Sequence, residues 1–171
     1  FQKTERLLIK EEYLMSTGII IAIFGAAICA ALAGIGSAYG VQCAGQAAAG
    51  VCAEKPDLFG KLLVLQALPG TQGIYGFLVA VLIMVQTGVI SGAPVDLTIQ
   101  QGLAYLFAGL PIGIVGWWSG IYQGKTAAAS ILMTGKDPDA SAKGITMTAL
   151  VETYAILALL VSILLLFGIK I

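Results

Sequence analysis

The sequence predicts an all-α membrane protein in which four transmembrane helices form two duplicated hairpins. Three observations support this fold class. Apolar residues make up 58% of the 171-residue chain and charged residues only 11%, against roughly 25% charged residues in an ordinary soluble domain. The charges are confined to short segments that separate long apolar runs. The two halves of the chain also repeat one another.

The charge balance and the missing residue types exclude several classes of function. Nine basic and nine acidic residues cancel, which removes the electrostatic case for binding nucleic acid. The chain contains no histidine, so catalytic triads and metal sites that need this residue are excluded. Its three cysteines show no CxxC spacing and are interpreted as reduced packing residues. No Walker A sequence is present, so we expect no ATP hydrolysis by that route and assign no catalytic residues.

Four apolar runs are each long enough to cross a bilayer. They lie near residues 16–50, 58–88, 97–133 and 140–169. Because they lack the alternation of barrel strands, and only helices or closed barrels satisfy the backbone in lipid, we predict spanning helices. Each connection contains a proline beside small or acidic residues, which is typical of a helix end followed by a helix start. The connections fall at residues 54–57, 91–94 and 135–139.

The runs divide the chain into three parts. Residues 1–15 form an N-terminal extension with no assigned role, residues 16–90 form the first hairpin, and residues 95–171 form the second. The first and third connections are expected on one side of the membrane. That side carries Lys55, Lys61, Lys136 and Lys143. The excess of positive charge predicts that it is cytoplasmic.

The hairpins are predicted to be duplicates because they align when Pro56 is placed opposite Pro138, an offset of 82 in the numbering. Three further pairs of identical residues then coincide: Lys61 with Lys143, Ala67 with Ala149, and Leu68 with Leu150. Under the same alignment Gly70 stands opposite Glu152, so only the second hairpin has a carboxylate in mid-span. A repeat of this kind determines the architecture.

The first and third spans are rich in small residues, whereas the second and fourth are bulky. Small residues recur at every fourth position, as in Ala22, Ala26, Ala30 and Gly34 of the first span and Gly116, Gly120 and Gly124 of the third. This spacing lets helices approach closely in lipid. The contrast predicts two concentric layers in an oligomer. Close packing inside a single four-helix monomer would explain the same pattern.

Glu152 is the decisive polar residue, because it lies in the apolar fourth span. A carboxylate in mid-membrane costs about 2.5–3.5 kcal/mol on insertion scales and usually marks an ion or proton path. Counted from the connecting prolines, three further polar residues share its depth, roughly 20–24 Å from the connections. They are Thr71, Gln72 and Gln123, and Tyr75 lies one turn from Thr71. A hydrogen-bonded glutamic acid that joins two helices is the structural alternative.

Pro69 interrupts the second span at this depth and leaves backbone carbonyls without their usual helical partner. Such carbonyls are tolerated in a membrane where they line a cavity or hold an ion. Carboxylate, amide, hydroxyl and carbonyl oxygens suit a hard cation, and one carboxylate balances one monovalent charge. Either Na⁺ or a proton would leave the site neutral. The additional oxygens favour Na⁺, because a protonated carboxyl group needs fewer partners.

Three segments resemble motifs of the V-type ATPase rotor proteolipid, the K or c subunit, in its bacterial sodium-transporting form. They are residues 65–77, 121–125 and 151–156, and the likeness extends over about residues 16–169. The resemblance implies a homo-oligomeric, two-layered ring that turns against a stator membrane subunit with half-channels and a cationic residue. It also implies contacts with central-stalk subunits and lipid. The chain would be a non-catalytic, multi-pass subunit in a bacterial cell membrane. The family has a lysine at the position of Lys125, to which we assign no role.

The resemblance further implies which groups hold the ion. Na⁺ would be bound by the side chains of Glu152, Thr71, Gln72 and Gln123 and by the backbone carbonyl of Leu68, and the Tyr75 hydroxyl would close the site with a hydrogen bond to Glu152. A proton-carrying version of the same rotor is one alternative. An independent four-helix channel or carrier and a purely structural membrane oligomer are the others.

Overall fold

The computed structural model describes residues 15–170. Residues 1–14 of the predicted N-terminal extension lie outside this range, as does Ile171. The described chain forms five α-helices: α1 (Thr17–Glu54), α2 (Phe59–Ala67), α3 (Thr71–Gln86), α4 (Ile99–Lys136) and α5 (Ser141–Gly168). Short 3₁₀ turns at Pro56–Leu58, Leu68–Gly70 and Pro138–Ala140 precede α2, α3 and α5. Because α2 and α3 form one rod, there are four rods in this range long and apolar enough to cross a membrane. This confirms the predicted fold class.

Hydroxyl caps begin α1 and α4. Ser16 Oγ accepts a hydrogen bond from the Ile19 N–H at 3.4 Å, and Thr98 forms a capping box with Gln101. These bonds satisfy backbone donors that have no partner within the first helical turn. The Ser16 hydroxyl also donates to the Leu97 carbonyl at 3.1 Å. The connection between α3 and α4 is therefore tied to the start of α1.

The two hairpins share one plan at the predicted offset of 82. α1 and α4 are both 38 residues long, and the offset carries both ends of α1 onto the ends of α4. The plan differs at one place: the 3₁₀ turn Leu68–Gly70 stands where α5 continues unbroken through residues 150–152. Pro69 explains the difference, because it has no N–H to donate to the preceding turn. The interruption predicted at Pro69 is thus confirmed.

Small residues let α1 and α4 pack directly against each other, in the most extensive contact between any two of the described helices. A Cβ atom added to Gly124 would collide with the backbone of Gly40, and one added to Gly36 would collide with the backbone of Trp117. Only glycine fits at such approaches. The α2–α3 rod packs on α1 and α5 packs on α4. The close packing predicted for the first and third spans is therefore present within one chain.

The first and third connections lie at the same end of the molecule, as predicted. Lys55 Nζ donates to the Gly135 carbonyl at 2.6 Å, and Lys61 Nζ donates to the Pro138 carbonyl at 2.9 Å. The start of α1 and the connection between α3 and α4 lie at the opposite end. Each lysine thereby joins the first hairpin to the second.

Tyr105 in α4 provides a test of the packing. It is fully buried, and its hydroxyl has no hydrogen-bond partner among residues 15–170. Burying an unpaired hydroxyl costs about 1–3 kcal/mol. We therefore expect Tyr105→Phe to keep the helix content and to raise the unfolding midpoint by about 2–4 °C, measured by circular dichroism in detergent. A lower midpoint would mean that the hydroxyl is engaged in the folded protein.

Candidate ion-binding site

Glu152 contacts two other helices near the middle of its own. The Tyr75 hydroxyl of α3 donates to Glu152 Oε1 at 2.5 Å, and Gln123 Nε2 of α4 lies 3.5 Å from Oε2. Glu152 and Tyr75 are half-buried, whereas Gln123 is fully buried. Within the described chain both hydrogen-bond partners of the carboxylate are neutral. The carboxylate therefore lies at the edge of the protein interior, next to donors from two different rods.

The two predicted glutamines contact each other behind the carboxylate. Gln72 Nε2 donates to Gln123 Oε1, and it also lies 3.2 Å from Ser119 Oγ. Gln123 Nε2 donates to the Thr148 carbonyl at 3.2 Å. Gln72 and Gln123 are both fully buried, and such amides need hydrogen-bond partners to offset the cost of burial. The amide pair extends the polar layer from α5 through α4 to α3.

The turn at Pro69 completes the layer. Thr71 Oγ1 donates to the Leu68 carbonyl at 3.0 Å and lies 3.5 Å from Gln72 Oε1. Because Pro69 bends the backbone here, the Leu68 carbonyl is held by the single 3₁₀ turn and by the threonine hydroxyl rather than inside a regular helix. The structure thus brings all six predicted groups into one continuous series of contacts. Leu68, Thr71 and Gln72 lie at one end of this series, and Glu152 and Tyr75 lie at the other.

This arrangement has the chemistry of a monovalent cation site. It contains one carboxylate and several neutral oxygens, and within residues 15–170 no group of three or more His, Cys, Asp or Glu residues could hold a metal ion. A multivalent ion would keep uncompensated charge beside a single carboxylate. A monovalent ion or a proton would leave the layer neutral.

Three supporting residues were missed by the sequence analysis. Ser119 links Gln72 to the Val151 carbonyl, to which its hydroxyl donates at 3.2 Å. Ser37 Oγ accepts a hydrogen bond from the Gly73 N–H at 2.7 Å and thereby links the start of α3 to α1. Thr148 supplies the carbonyl that Gln123 uses. A signal was present for two of them, because Ser119 is the counterpart of Ser37 in the duplication and lies one turn before Gln123.

Lys125 is not a hydrogen-bond partner of Glu152. It is exposed, and its Nζ lies 5.8 Å from the centre of the Tyr122 ring. Tyr122 in turn stacks on Trp118, with ring centroids 6.0 Å apart. An ammonium group over an aromatic face is a weak stabilising contact. Lys125 therefore belongs to an aromatic row on the exposed face of α4.

Comparison with known protein families identifies the family to which this chain belongs. The model of the family described as the ATP synthase C subunit matches residues 24–83 and again residues 106–165. The chain belongs to this ATP synthase C-subunit family. The second matched segment starts at the predicted offset of 82 from the first, so the match also confirms the predicted duplication. Each segment covers most of one hairpin, and Glu152 lies in the second.

Members of this family with similar sequences come from bacteria, archaea and animals. The chain is 47% identical over 148 residues to V-type sodium ATPase subunit K of Enterococcus hirae. The aligned residues make up 86% of this chain and 91% of that protein. It is 44% identical to A-type ATP synthase subunit K of Methanocaldococcus jannaschii, over 87% of this chain and 64% of the archaeal protein. It is 29% identical to a V-type proton ATPase 16 kDa proteolipid of Nephrops norvegicus, over 82% of this chain and 86% of that protein. These relatives confirm the resemblance to V-type ATPase proteolipids, and the four spanning rods make this family member an integral multi-pass membrane protein.

Proposed function

We propose that this chain carries Na⁺ across the membrane as one member of the rotor ring of a V-type ATPase. The observation that supports the proposal most is the position of Glu152. A single carboxylate from an apolar helix reaches a hydroxyl and an amide from two other rods, and a further amide, hydroxyl and carbonyl adjoin them. Those groups match the oxygen ligands that a hard monovalent cation prefers.

In this proposal five groups bind the ion. They are the side chains of Glu152, Thr71, Gln72 and Gln123 and the carbonyl of Leu68. Each glutamine can present its amide oxygen to the ion after the terminal amide group rotates by about 180°, because its oxygen and nitrogen ends have nearly the same shape. All five groups belong to one chain, so we propose one Na⁺ per chain. The first hairpin holds no second ion, because Gly70 stands at the position equivalent to Glu152.

Neutralisation of Glu152 allows the loaded site to pass through lipid. A bare carboxylate in hydrocarbon is costly, whereas a carboxylate with Na⁺ has no net charge. We propose that Tyr75 closes the loaded site, since its hydroxyl donates to the carboxylate and is itself half-buried at the edge of the layer. Release then requires Glu152 to turn away from Tyr75 and to meet a cationic residue of the stator, which displaces the ion into a half-channel.

The remaining partners follow from the rotor role. Other subunits hydrolyse ATP, and the central stalk transmits rotation to the ring, so this chain is a non-catalytic part of the complex. One charge that crosses 100 mV requires about 2.3 kcal/mol. A ring with one carboxylate per two hairpins carries few ions per turn, which favours pumping over synthesis. We further propose a bacterial cell membrane, with the lysine-rich end that holds Lys55 and Lys61 in the cytoplasm.

Carbodiimide labelling tests the choice of ion. We expect Na⁺ at constant pH to protect Glu152 of the purified ring from dicyclohexylcarbodiimide, because the bound cation shields the carboxylate. Thr71→Val should raise the Na⁺ concentration needed for protection by about ten-fold or more, since a hydrogen bond to a charged group contributes about 1.5–3 kcal/mol. The readout is the modified fraction of the chain by mass spectrometry.

The matched control is Thr153→Val, because Thr153 is the counterpart of Thr71 at the offset of 82 and is exposed, with its hydroxyl on the Leu150 carbonyl at 2.8 Å. This variant should be protected like the unmodified chain. Labelling that does not respond to Na⁺ at constant pH would contradict sodium and favour the proton-carrying rotor. A stable monomer in place of a ring would favour an independent channel or carrier.

A further inference from the structure

Two buried hydroxyl contacts join α5 to α4 in addition to the contacts of the polar layer. Thr148 Oγ1 lies 3.3 Å from Ser130 Oγ, and Ser162 Oγ accepts a hydrogen bond from the Ile112 N–H at 3.2 Å. All three hydroxyl residues are buried. On the basis of the proposed Na⁺ site, we propose that they are positioning residues for Glu152. Their hydroxyl groups fix the rotation of α5 about its own axis.

The contact at Thr148 lies one helical turn before Glu152. The Thr148 hydroxyl also donates to the Gly144 carbonyl at 2.8 Å, and one hydroxyl can serve both contacts because it donates and accepts. Helix α5 comes close to α4 here, since a Cβ atom added to Gly144 would lie 2.9 Å from the Ser130 Cβ. The Thr148 side chain is thus enclosed between the two helices, and its backbone carbonyl is the one to which Gln123 donates.

The contact at Ser162 lies ten residues after Glu152, or about 15 Å farther along α5. Pro111 lies inside α4, and it disturbs the helical hydrogen bonding at this point because it has no N–H to donate. The next N–H along α4, that of Ile112, donates to the Ser162 hydroxyl. The two hydroxyl contacts therefore hold α5 at one point before Glu152 and at one point after it.

Rotation of α5 decides where the Glu152 carboxylate lies. At about 100° per residue, Thr148 and Ser162 point within about 40° of each other, and Glu152 points about 40° from Thr148. Side chains reach about 5–6 Å from a helix axis, so a rotation of about 10° would move the carboxylate by about 1 Å. A shift of that size is enough to break a hydrogen bond. Within the described chain the carboxylate has only Tyr75 and Gln123 as partners, so the polar layer depends on this rotation.

The first hairpin provides an internal comparison, because it has no carboxylate in mid-span. At the offset of 82 the three hydroxyl residues are replaced by Ala48, Gln66 and Ala80. Ser119 is retained as Ser37 at the same offset, and each of these two serines links the inner helix of its hairpin to the outer one. The linking serine therefore belongs to the plan that the hairpins share, whereas the three additional hydroxyl groups occur only in the hairpin that holds Glu152.

Thr148→Val removes the hydroxyl group and leaves a side chain of nearly the same shape. We expect the purified ring to bind one Na⁺ per chain with a dissociation constant raised by about five-fold to ten-fold, measured with ²²Na⁺. Ser130→Ala should act alike, and the double variant should differ little from either, because both changes break one contact. Thr148→Ser keeps the hydroxyl and should bind Na⁺ like the unmodified chain. Ser162→Ala should weaken binding by about five-fold and add to the effect of Thr148→Val.

The matched control is Thr134→Val. Thr134 is also fully buried, and its hydroxyl donates at 2.9 Å to the Ser130 carbonyl of its own helix. The control removes a buried hydroxyl of the same kind but no hydrogen bond between α4 and α5 in the described chain. It should lower the unfolding midpoint about as much as Thr148→Val does and leave the Na⁺ dissociation constant unchanged. The difference in affinity then separates positioning from a loss of stability.

The outcomes distinguish this proposal from the proposed function. Unchanged Na⁺ affinity in Thr148→Val and Ser130→Ala, or an equal loss in Thr134→Val, would overturn the positioning role and leave the Na⁺ site standing. If Thr148→Val yields too little ring to measure, Ser162→Ala decides in its place, because it leaves the other contact intact, and an unchanged affinity would again overturn the role. The absence of saturable Na⁺ binding by the unmodified ring would overturn both proposals.

Discussion

Glu152→Gln is expected to abolish Na⁺ transport and Na⁺-coupled ATP hydrolysis in the assembled complex while the ring still forms. Glutamine keeps the shape of the side chain and can still accept the hydrogen bond from Tyr75. It removes the charge that binds Na⁺ and that the stator cation attracts. Loss of one member of a buried ion pair costs about 3–5 kcal/mol, which corresponds to about a 100-fold or greater loss of Na⁺ affinity. Transport of ²²Na⁺ into proteoliposomes and the ATPase rate measure the effect.

Glu54→Gln is the matched control, because Glu54 is exposed at the end of α1 and outside the polar layer. It should transport Na⁺ at the unmodified rate. If Glu152→Gln retained transport and coupled hydrolysis, Glu152 would serve only to join helices, and the chain would be a structural membrane oligomer.

Gly124→Ala is expected to have the second largest effect, through the packing of α1 against α4. The added methyl group would collide with the Cα and carbonyl atoms of Gly40. Because these are backbone atoms, no side-chain rotation relieves the collision, and overpacking of this kind costs about 1–3 kcal/mol or more. Helix α4 is not free to shift away from the collision, because the residue before Gly124, Gln123, is buried in the polar layer. We therefore expect a lower unfolding midpoint together with weaker Na⁺ protection of Glu152.

The comparison is Gly60→Ala, at a helical glycine with open space around it. That change should be neutral or stabilising by about 0.5–1 kcal/mol, because alanine favours helix over glycine. Thermal unfolding of the two variants side by side isolates the collision from helix propensity. An equal midpoint for both would contradict the close packing of α1 on α4.

The fold could be predicted because its signals are local in the sequence. The length of each apolar run determines a span, and the prolines at Pro56 and Pro138 mark where one rod ends and the next begins. The internal repeat also predicted which residues of the two hairpins correspond. Which glycines oppose each other could not be predicted, because both α1 and α4 have small residues in several rows. Only the packing identifies Gly40 as the partner of Gly124.

The depth of the polar layer was predictable, whereas its hydrogen bonding was not. Counting residues from the connections gives the height of Gln72, Gln123 and Glu152, because a helix rises by about 1.5 Å per residue. The count does not give the direction of a side chain around the helix axis. The hydrogen bond between the two glutamines and the role of Ser119 depend on that direction. The ligand set itself was implied by the family resemblance.

Equilibrium binding of ²²Na⁺ to the purified ring tests the central claim most directly, because it requires neither rotation nor the other subunits. We expect one Na⁺ per chain at saturation, no saturable binding in Glu152→Gln, and weaker binding with unchanged stoichiometry in Thr71→Val. The absence of saturable binding by the unmodified ring, or binding that survives Glu152→Gln, would contradict a Na⁺ site built on this carboxylate.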